Sequence, residues 1–286
     1  VADIARVGVV GAGLMGSGIA EVHARAGLDV VVAEVSRTAL DAGRARIEKS
    51  LQRGVKSGKL AAEDAEATLG RVRFTTELAE FADRDLVIEA IVEQEQAKVE
   101  LFRALDQLVE RVDAVFASNT SSIPIMKLGM ATGRPQQVVG IHFFNPVPVL
   151  PLVELVPSLR TGEDTVRRAE EHATGTLGKT VIHSPDRAGF IVNYLLVPYL
   201  LSAIRMIEAG FAEAGDIDRG MELGTAHPMG PLRLTDLIGL DTVKAIADSM
   251  FAEFKEPLYA PPPLLLRMVD AGLLGKKSGR GFYTYG

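Results

Sequence analysis

Short runs of apolar residues without polar alternation recur through the first half of the chain. They are Arg6-Val7-Gly8-Val9-Val10, Asp29-Val30-Val31-Val32-Ala33, Leu86-Val87-Ile88-Glu89, Ala114-Val115-Phe116-Ala117 and Val138-Val139-Gly140-Ile141-His142. Leu152 to Val156 and Thr180 to His183 add two more. Such runs suit strands covered on both faces, hence a largely parallel sheet flanked by helices. Stretches of helical spacing, such as Leu14 to Ala26, separate the strands and predict a doubly wound α/β domain over residues 1–184. After His183 the strand runs stop. Pro185-Asp186-Arg187-Ala188-Gly189 reads as a linker, and 189–221, 234–254 and 264–271 read as helices. Residues 185–286 are therefore expected to form an all-α C-terminal domain; one large domain is the alternative. Its tract Phe190 to Val197 is too apolar for a solvent face and predicts either a contact surface or an internal helix.

The first strand run ends in Gly11-Ala12-Gly13-Leu14-Met15-Gly16, a GxGxxG pattern placed between a strand and a helix. Gly11 permits the tight turn, Gly13 admits a pyrophosphate to the backbone, and Gly16 lets the helix pack on the sheet, with Leu14 and Met15 opening that helix. Glu34 closes the second strand at about the 20-residue spacing of a ribose-binding carboxylate, which favours NAD over NADP. Arg37 nearby is a competing phosphate partner, and FAD is a rival dinucleotide on the same fingerprint. The domain is thus of Rossmann type.

Composition narrows the function by exclusion. The chain has 47% hydrophobic and 24% charged residues, as ordinary globular proteins do. It has no cysteine, which excludes disulfides, thiolate catalysis and cysteine-ligated zinc and fits a reducing compartment. A net charge of −6 argues against nucleic acid as a partner. Val1 to Arg6 carries no secretory pattern, and the most apolar tract, Tyr194 to Ile204, is too short to span a bilayer. A cytosolic protein is expected, with no membrane partner and no metal.

Of five histidines, only His142 ends a strand and runs straight into a loop, where ligands bind in open α/β sheets. That makes it the candidate general base. An imidazole base needs its other nitrogen held, and Glu154, flanked by apolar residues in the next strand run, is the candidate partner; two unrelated strand-end residues are the alternative. His23 and His172 fall in helices, where a solvated or packed ring is expected. Ser118-Asn119-Thr120-Ser121-Ser122 reads as a helix cap or as a set of ligand hydroxyls. Asn193 within its apolar tract reads as a helix–helix hydrogen bond or a substrate contact. Arg46, Lys49, Arg53 and Lys56 form a basic stripe, either a solvated face or a dock for a phosphorylated carrier.

Several segments together resemble the 3-hydroxyacyl-CoA dehydrogenase family across nearly the whole chain. They include the glycine motif, Val87-Ile88-Glu89-Ala90-Ile91-Val92-Glu93, Ser118 to Ser122 and Gly140-Ile141-His142-Phe143-Phe144-Asn145-Pro146. In the second half they are Gly189-Phe190-Ile191-Val192-Asn193, Pro228-Met229-Gly230-Pro231 and Gly275 to Tyr283. The 3-hydroxybutyryl-CoA branch is the most similar. The resemblance implies a homodimer with its active site in an interdomain cleft, using NAD on coenzyme A thioesters in β-oxidation or butanoate metabolism. It implies that His142 is the catalytic histidine, Glu154 its partner, and Ser121 and Asn193 substrate contacts. It implies NAD contacts at Glu34, Glu93, Lys98, Ser121, Asn145 and Lys277, and coenzyme A contacts at Ser50 and Lys56. The chain departs from the pattern at Gln94-Glu95-Gln96, at Tyr194, where an arginine is typical, and at Ser57, where some relatives carry a lysine. Those departures bear on acyl-chain preference and coenzyme A affinity.

Overall fold

The computed structural model describes residues 4–286, so Val1-Ala2-Asp3 of the segment read for a leader lies outside it. The chain separates into two compact units after Asp186.

The first unit is built on an eight-stranded sheet in the order β3-β2-β1-β4-β5-β6-β7-β8. The strands are β1 (Arg6–Val10), β2 (Asp29–Ala33), β3 (Val72–Thr75), β4 (Leu86–Glu89), β5 (Val115–Ser118), β6 (Val138–Phe143), β7 (Leu152–Pro157) and β8 (Thr180–His183). All neighbours pair parallel except β6 and β7, which are antiparallel. Six α-helices lie among the described residues of this unit: α1 (Leu14–Arg25), α2 (Arg37–Lys56), α3 (Ala62–Gly70), α4 (Glu95–Leu108), α5 (Ile125–Gly129) and α6 (Glu163–Glu171). The central strands are buried throughout, as their unbroken apolar runs require. The apolar pattern misses β3 because it is an edge strand of mixed burial, and its Arg73 is exposed.

The second unit contains α7 (Val192–Glu208), α8 (Ala214–Thr225), α9 (Pro231–Ile238), α10 (Leu240–Phe254) and α11 (Pro263–Asp270). Two spans read as single helices are each broken in two. Gly210 at φ +64° follows the end of α7, and Gly239 at φ +103° separates α9 from α10. Both are left-handed positions that glycine adopts without steric cost. The apolar tract divides: Val197, Leu200 and Leu201 enter the core, whereas Leu195 is 70% exposed.

His23 and His172 are packed rather than solvated, with rings stacked 5.1 Å apart. His23 Nδ1 meets the Ile19 carbonyl, and neither Nε2 has a partner among the described residues. Burial pushes His23 down to about 4, against that carbonyl and helped by Lys179; burial and then His23 push His172 down to about 3. Unfolded histidines titrate near ~6.5, so the unfolded chain binds more protons than the folded one at mildly acid pH. The stabilisation is therefore full above that value and drains away as pH falls towards 4. We expect urea midpoints to drop across this window and the drop to shrink in His172→Phe. An unchanged pH slope in that variant would remove the histidine pair as its source.

Candidate active site

At the carboxyl ends of the strands, the glycine loop follows β1. The Gly11 N–H donates to the Ala33 carbonyl at 2.8 Å, and φ is +100° at this residue. A side chain here would fall 2.5 Å from the Ala90 carbonyl oxygen, and one at Gly16 would fall 1.8 Å from the Gly11 oxygen. At Gly13 an added Cβ would meet nothing within 4 Å, so this stretch of backbone is open to a ligand. No side chain caps the N-terminus of α1, and its first turn holds no acidic residue. Backbone N–H groups and the positive helix end are thus available for an anion. Glu34 Oε1 accepts from the Ala12 N–H at 2.8 Å and Oε2 from the Val35 N–H at 3.0 Å. Glu34 therefore braces the loop and keeps lone pairs for ribose hydroxyls. Arg46 leaves the basic stripe to donate to the Ala12 carbonyl at 3.1 Å. These groups fit a dinucleotide.

Beyond β4 and β5 lies a buried charge network. Lys98 Nζ sits 2.5 Å from Glu89 Oε1 and 3.1 Å from Glu93 Oε2. Glu89 also accepts from the Ile91 N–H at 2.7 Å and the Ser118 hydroxyl at 2.6 Å. Glu93 Oε1 accepts from the Thr120 hydroxyl at 2.5 Å and from the backbone N–H groups of Ser121 and Ser122 at 2.9 and 3.2 Å. Burial acts to raise the Glu93 carboxyl, but Lys98 and these donors outweigh it and hold the group below its ordinary range. The hydroxyl-rich segment is consequently a fixed turn, with Ser121 half-buried and its hydroxyl 3.3 Å from Glu93.

His142 and Glu154 stand directly opposite each other in the β6–β7 register. His142 Nδ1 lies 2.7 Å from Glu154 Oε2, and the residues are 6% and 0% exposed. With its hydrogen on Nδ1 the imidazole donates to this carboxylate, and that bond fixes the tautomer. Phe144 packs on the imidazole, ring centres 4.6 Å apart. Asn145, next along, is exposed at the mouth of the 144–151 loop. Lys179 Nζ anchors that loop by donating to the Val147 and Leu150 carbonyls at 2.6 and 2.7 Å.

The same loop borders a cleft of about 460 Å³ within the first unit. Ser50, Arg53, Ser57 and Lys59 line it from α2 and the turn that follows. Lys56 is exposed on α2 and is not part of the lining. Lys59 supplies a cation to the lining two residues after Ser57.

In the second unit Asn193 is buried in the first turn of α7. Lys277 Nζ pairs with the Asp241 carboxylate at 2.5 Å.

Residues 6–187 match the family model for the NAD binding domain of 3-hydroxyacyl-CoA dehydrogenase, and residues 189–285 match that for its C-terminal domain. The chain belongs to the 3-hydroxyacyl-CoA dehydrogenase family. It is similar to the 3-hydroxybutyryl-CoA dehydrogenase of Mycobacterium tuberculosis, 64% identical over 99% of both chains. The crystal structure of M. tuberculosis FadB2 matches it with TM-score 0.98 and 63% identity over 100% of each chain. That of (S)-3-hydroxybutyryl-CoA dehydrogenase PaaH1 from Ralstonia eutropha matches with TM-score 0.92 and 42% identity over 99% of this chain and 100% of that one.

The chain is an NAD-dependent dehydrogenase of this family. Among the described residues no helix of this dehydrogenase is long and apolar enough to cross a membrane. Glu89 and Ser118 as members of the charge network, Lys59 as a cleft cation, and Glu21, which also lines the cleft, are not marked out by the sequence pattern used above. Glu89 carries a sequence signal: it ends an apolar strand run, and so does not belong there without a partner.

Proposed function

We propose that the enzyme interconverts short-chain (S)-3-hydroxyacyl-CoA, such as 3-hydroxybutyryl-CoA, and the 3-ketoacyl-CoA, in the cytosol, in β-oxidation or butanoate metabolism. The observation that carries the reading is the His142–Glu154 pair, held by strand register at the carboxyl end of β6, in the same sheet as the strand that ends in a glycine loop suited to NAD. Similarity to the M. tuberculosis and R. eutropha enzymes supports the choice of substrate.

When bound, NAD supplies the acceptor for the hydride of C3. The Gly11–Gly16 loop with Leu14 and Met15, together with Glu34, Glu93, Lys98, Ser121, Asn145 and Lys277, would hold it. His142 Nε2 takes the proton of the 3-hydroxyl, and Glu154 stabilises the imidazolium that forms. In reduction His142 returns that proton as the acid. The hydroxyl of Ser121 and the amide of Asn193 hold the substrate oxygens in line, which makes the reaction effectively unimolecular. Ser50 and Lys56 engage coenzyme A, Ser50 from the cleft wall and Lys56 as an outlying charge.

The division of labour follows the two matched domains: residues 1–184 bind NAD, and residues 185–286 complete the substrate site and form a homodimer. Exposed Leu195, Phe211 and Leu223 in the helical unit support the dimer.

The test is NADH oxidation with acetoacetyl-CoA against free acetoacetate, repeated with NADPH. The thioester is expected to react far faster than the acid, and NADH far better than NADPH, because the Glu34 carboxylate repels a 2′-phosphate. Equal rates for acid and thioester would remove coenzyme A from the reading. Equal efficiency with NADPH would remove the assigned role of Glu34.

A further inference from the structure

The cleft of the first unit has a composition that phosphate binding alone does not explain. Arg53 and Lys59 line it as cations, and Pro146, Pro148 and Leu60 give it an apolar wall. Glu21, from α1, also lines it, although the residue is only 2% exposed. Ser50 lines the cleft with it, and Arg25 Nη1 stands 3.7 Å from its carboxylate. Burial raises the Glu21 carboxyl, and Ser50, Arg25 and Arg53 only partly offset that. A largely buried carboxylate on the floor of an anion site repels phosphate unless it meets a hydrogen-bond donor on the ligand.

We propose that Glu21 is a specificity-determining residue that accepts a hydrogen bond from the adenine amino group of the coenzyme A thioester. Arg53 and Lys59 hold its phosphates, and the proline wall covers the flat face of the purine. This rests on the thioester reading above and adds to it the part of the carrier that is recognised and the group that recognises it. The chemistry selects the occupant. Phosphate oxygens of the carrier accept hydrogen bonds rather than donate them. Of its donors, the adenine amino group is the one carried on a flat ring that the Pro146, Pro148 and Leu60 wall can cover, unlike the hydroxyls and amide N–H groups of the ribose and pantetheine arm. The volume of about 460 Å³ falls in the range of small-molecule sites.

The experiment compares adenosine 3′,5′-bisphosphate with inosine 3′,5′-bisphosphate as inhibitors of acetoacetyl-CoA reduction. Inosine presents a carbonyl where adenosine presents the amino group. The adenosine compound is expected to inhibit ~10-fold more tightly in the wild-type enzyme, the effect of one hydrogen bond to a charged group. In Glu21→Gln, whose amide offers both a donor and an acceptor, the preference should fall towards one. In the same variant KM for acetoacetyl-CoA should rise with kcat unchanged, and kinetics with the truncated substrate acetoacetyl-pantetheine should not change. Equal inhibition by the two bisphosphates in the wild type overturns the proposal without needing any variant. A lowered melting midpoint in Glu21→Gln with the inhibitor preference intact assigns Glu21 a purely structural part and overturns it too. If the wild type turns over neither thioester, the thioester reading itself fails. Calorimetric titration of the two bisphosphates then still decides whether Glu21 reads adenine.

Discussion

His142→Gln is expected to lower kcat with acetoacetyl-CoA by ~10²–10⁴-fold, the usual loss when a positioned acid–base group is removed, while NADH still binds. Glu154→Gln should also cut turnover sharply, since the amide keeps the size of the carboxylate but not its charge. On the proposed mechanism Glu154 acts through the imidazole it holds at 2.7 Å, so the double variant should be little slower than His142→Gln alone. Near-normal turnover in His142→Gln would end the proposed mechanism. Full additivity would leave His142 as the base and detach Glu154 from it. Thermal melts of the three variants separate lost chemistry from lost folding.

Lys98→Met is expected to destabilise the enzyme by ~3–5 kcal/mol, the cost of leaving a buried charge without its partner. Glu89 is 0% exposed, so its carboxylate cannot turn to water when the ammonium group is gone. NADH affinity should fall in the same variant, because Glu93 loses the cation that holds it against the Thr120–Ser122 turn. Adding Glu89→Gln to Lys98→Met should recover much of the stability, since the second change removes the stranded charge. Denaturant midpoints read the first effect and NADH fluorescence titration the second. A Lys98→Met midpoint equal to that of the wild type would show that the network contributes nothing.

Much of this arrangement is legible in the sequence because burial leaves a plain pattern. Strands covered on both faces need unbroken apolar runs, and β1, β2, β4 and β6 were readable on that ground. The glycine loop was readable because each of its glycines answers a separate steric demand. The edge strand β3 escaped because one side of it is half open to solvent and its pattern is mixed. The breaks at Gly210 and Gly239 escaped because an apolar helical period runs on through a single glycine. At the site, the pairing of His142 with Glu154 could only be a candidate, since spacing along the chain does not reveal that β7 runs antiparallel to β6. The Glu89–Lys98–Glu93 network was harder still. Its members lie on a strand, a loop and a helix, and only the folded chain brings them together.

The antiparallel turn of β7 has an evolutionary consequence. His142 and Glu154 are aligned by the backbone ladder between two strands, and of the eight-residue connection at 144–151 its first residue, Phe144, packs on the imidazole. The connection also carries Pro146, Pro148 and Val149 into the cleft wall. The proposed acid–base chemistry and the proposed carrier recognition thus fall in neighbouring but separate stretches of chain. Beyond Asn145 the loop can lengthen, shorten or exchange its side chains while the hydrogen bond at its base stays in register. Selection can therefore retune which thioester the enzyme prefers without first dismantling its proton transfer.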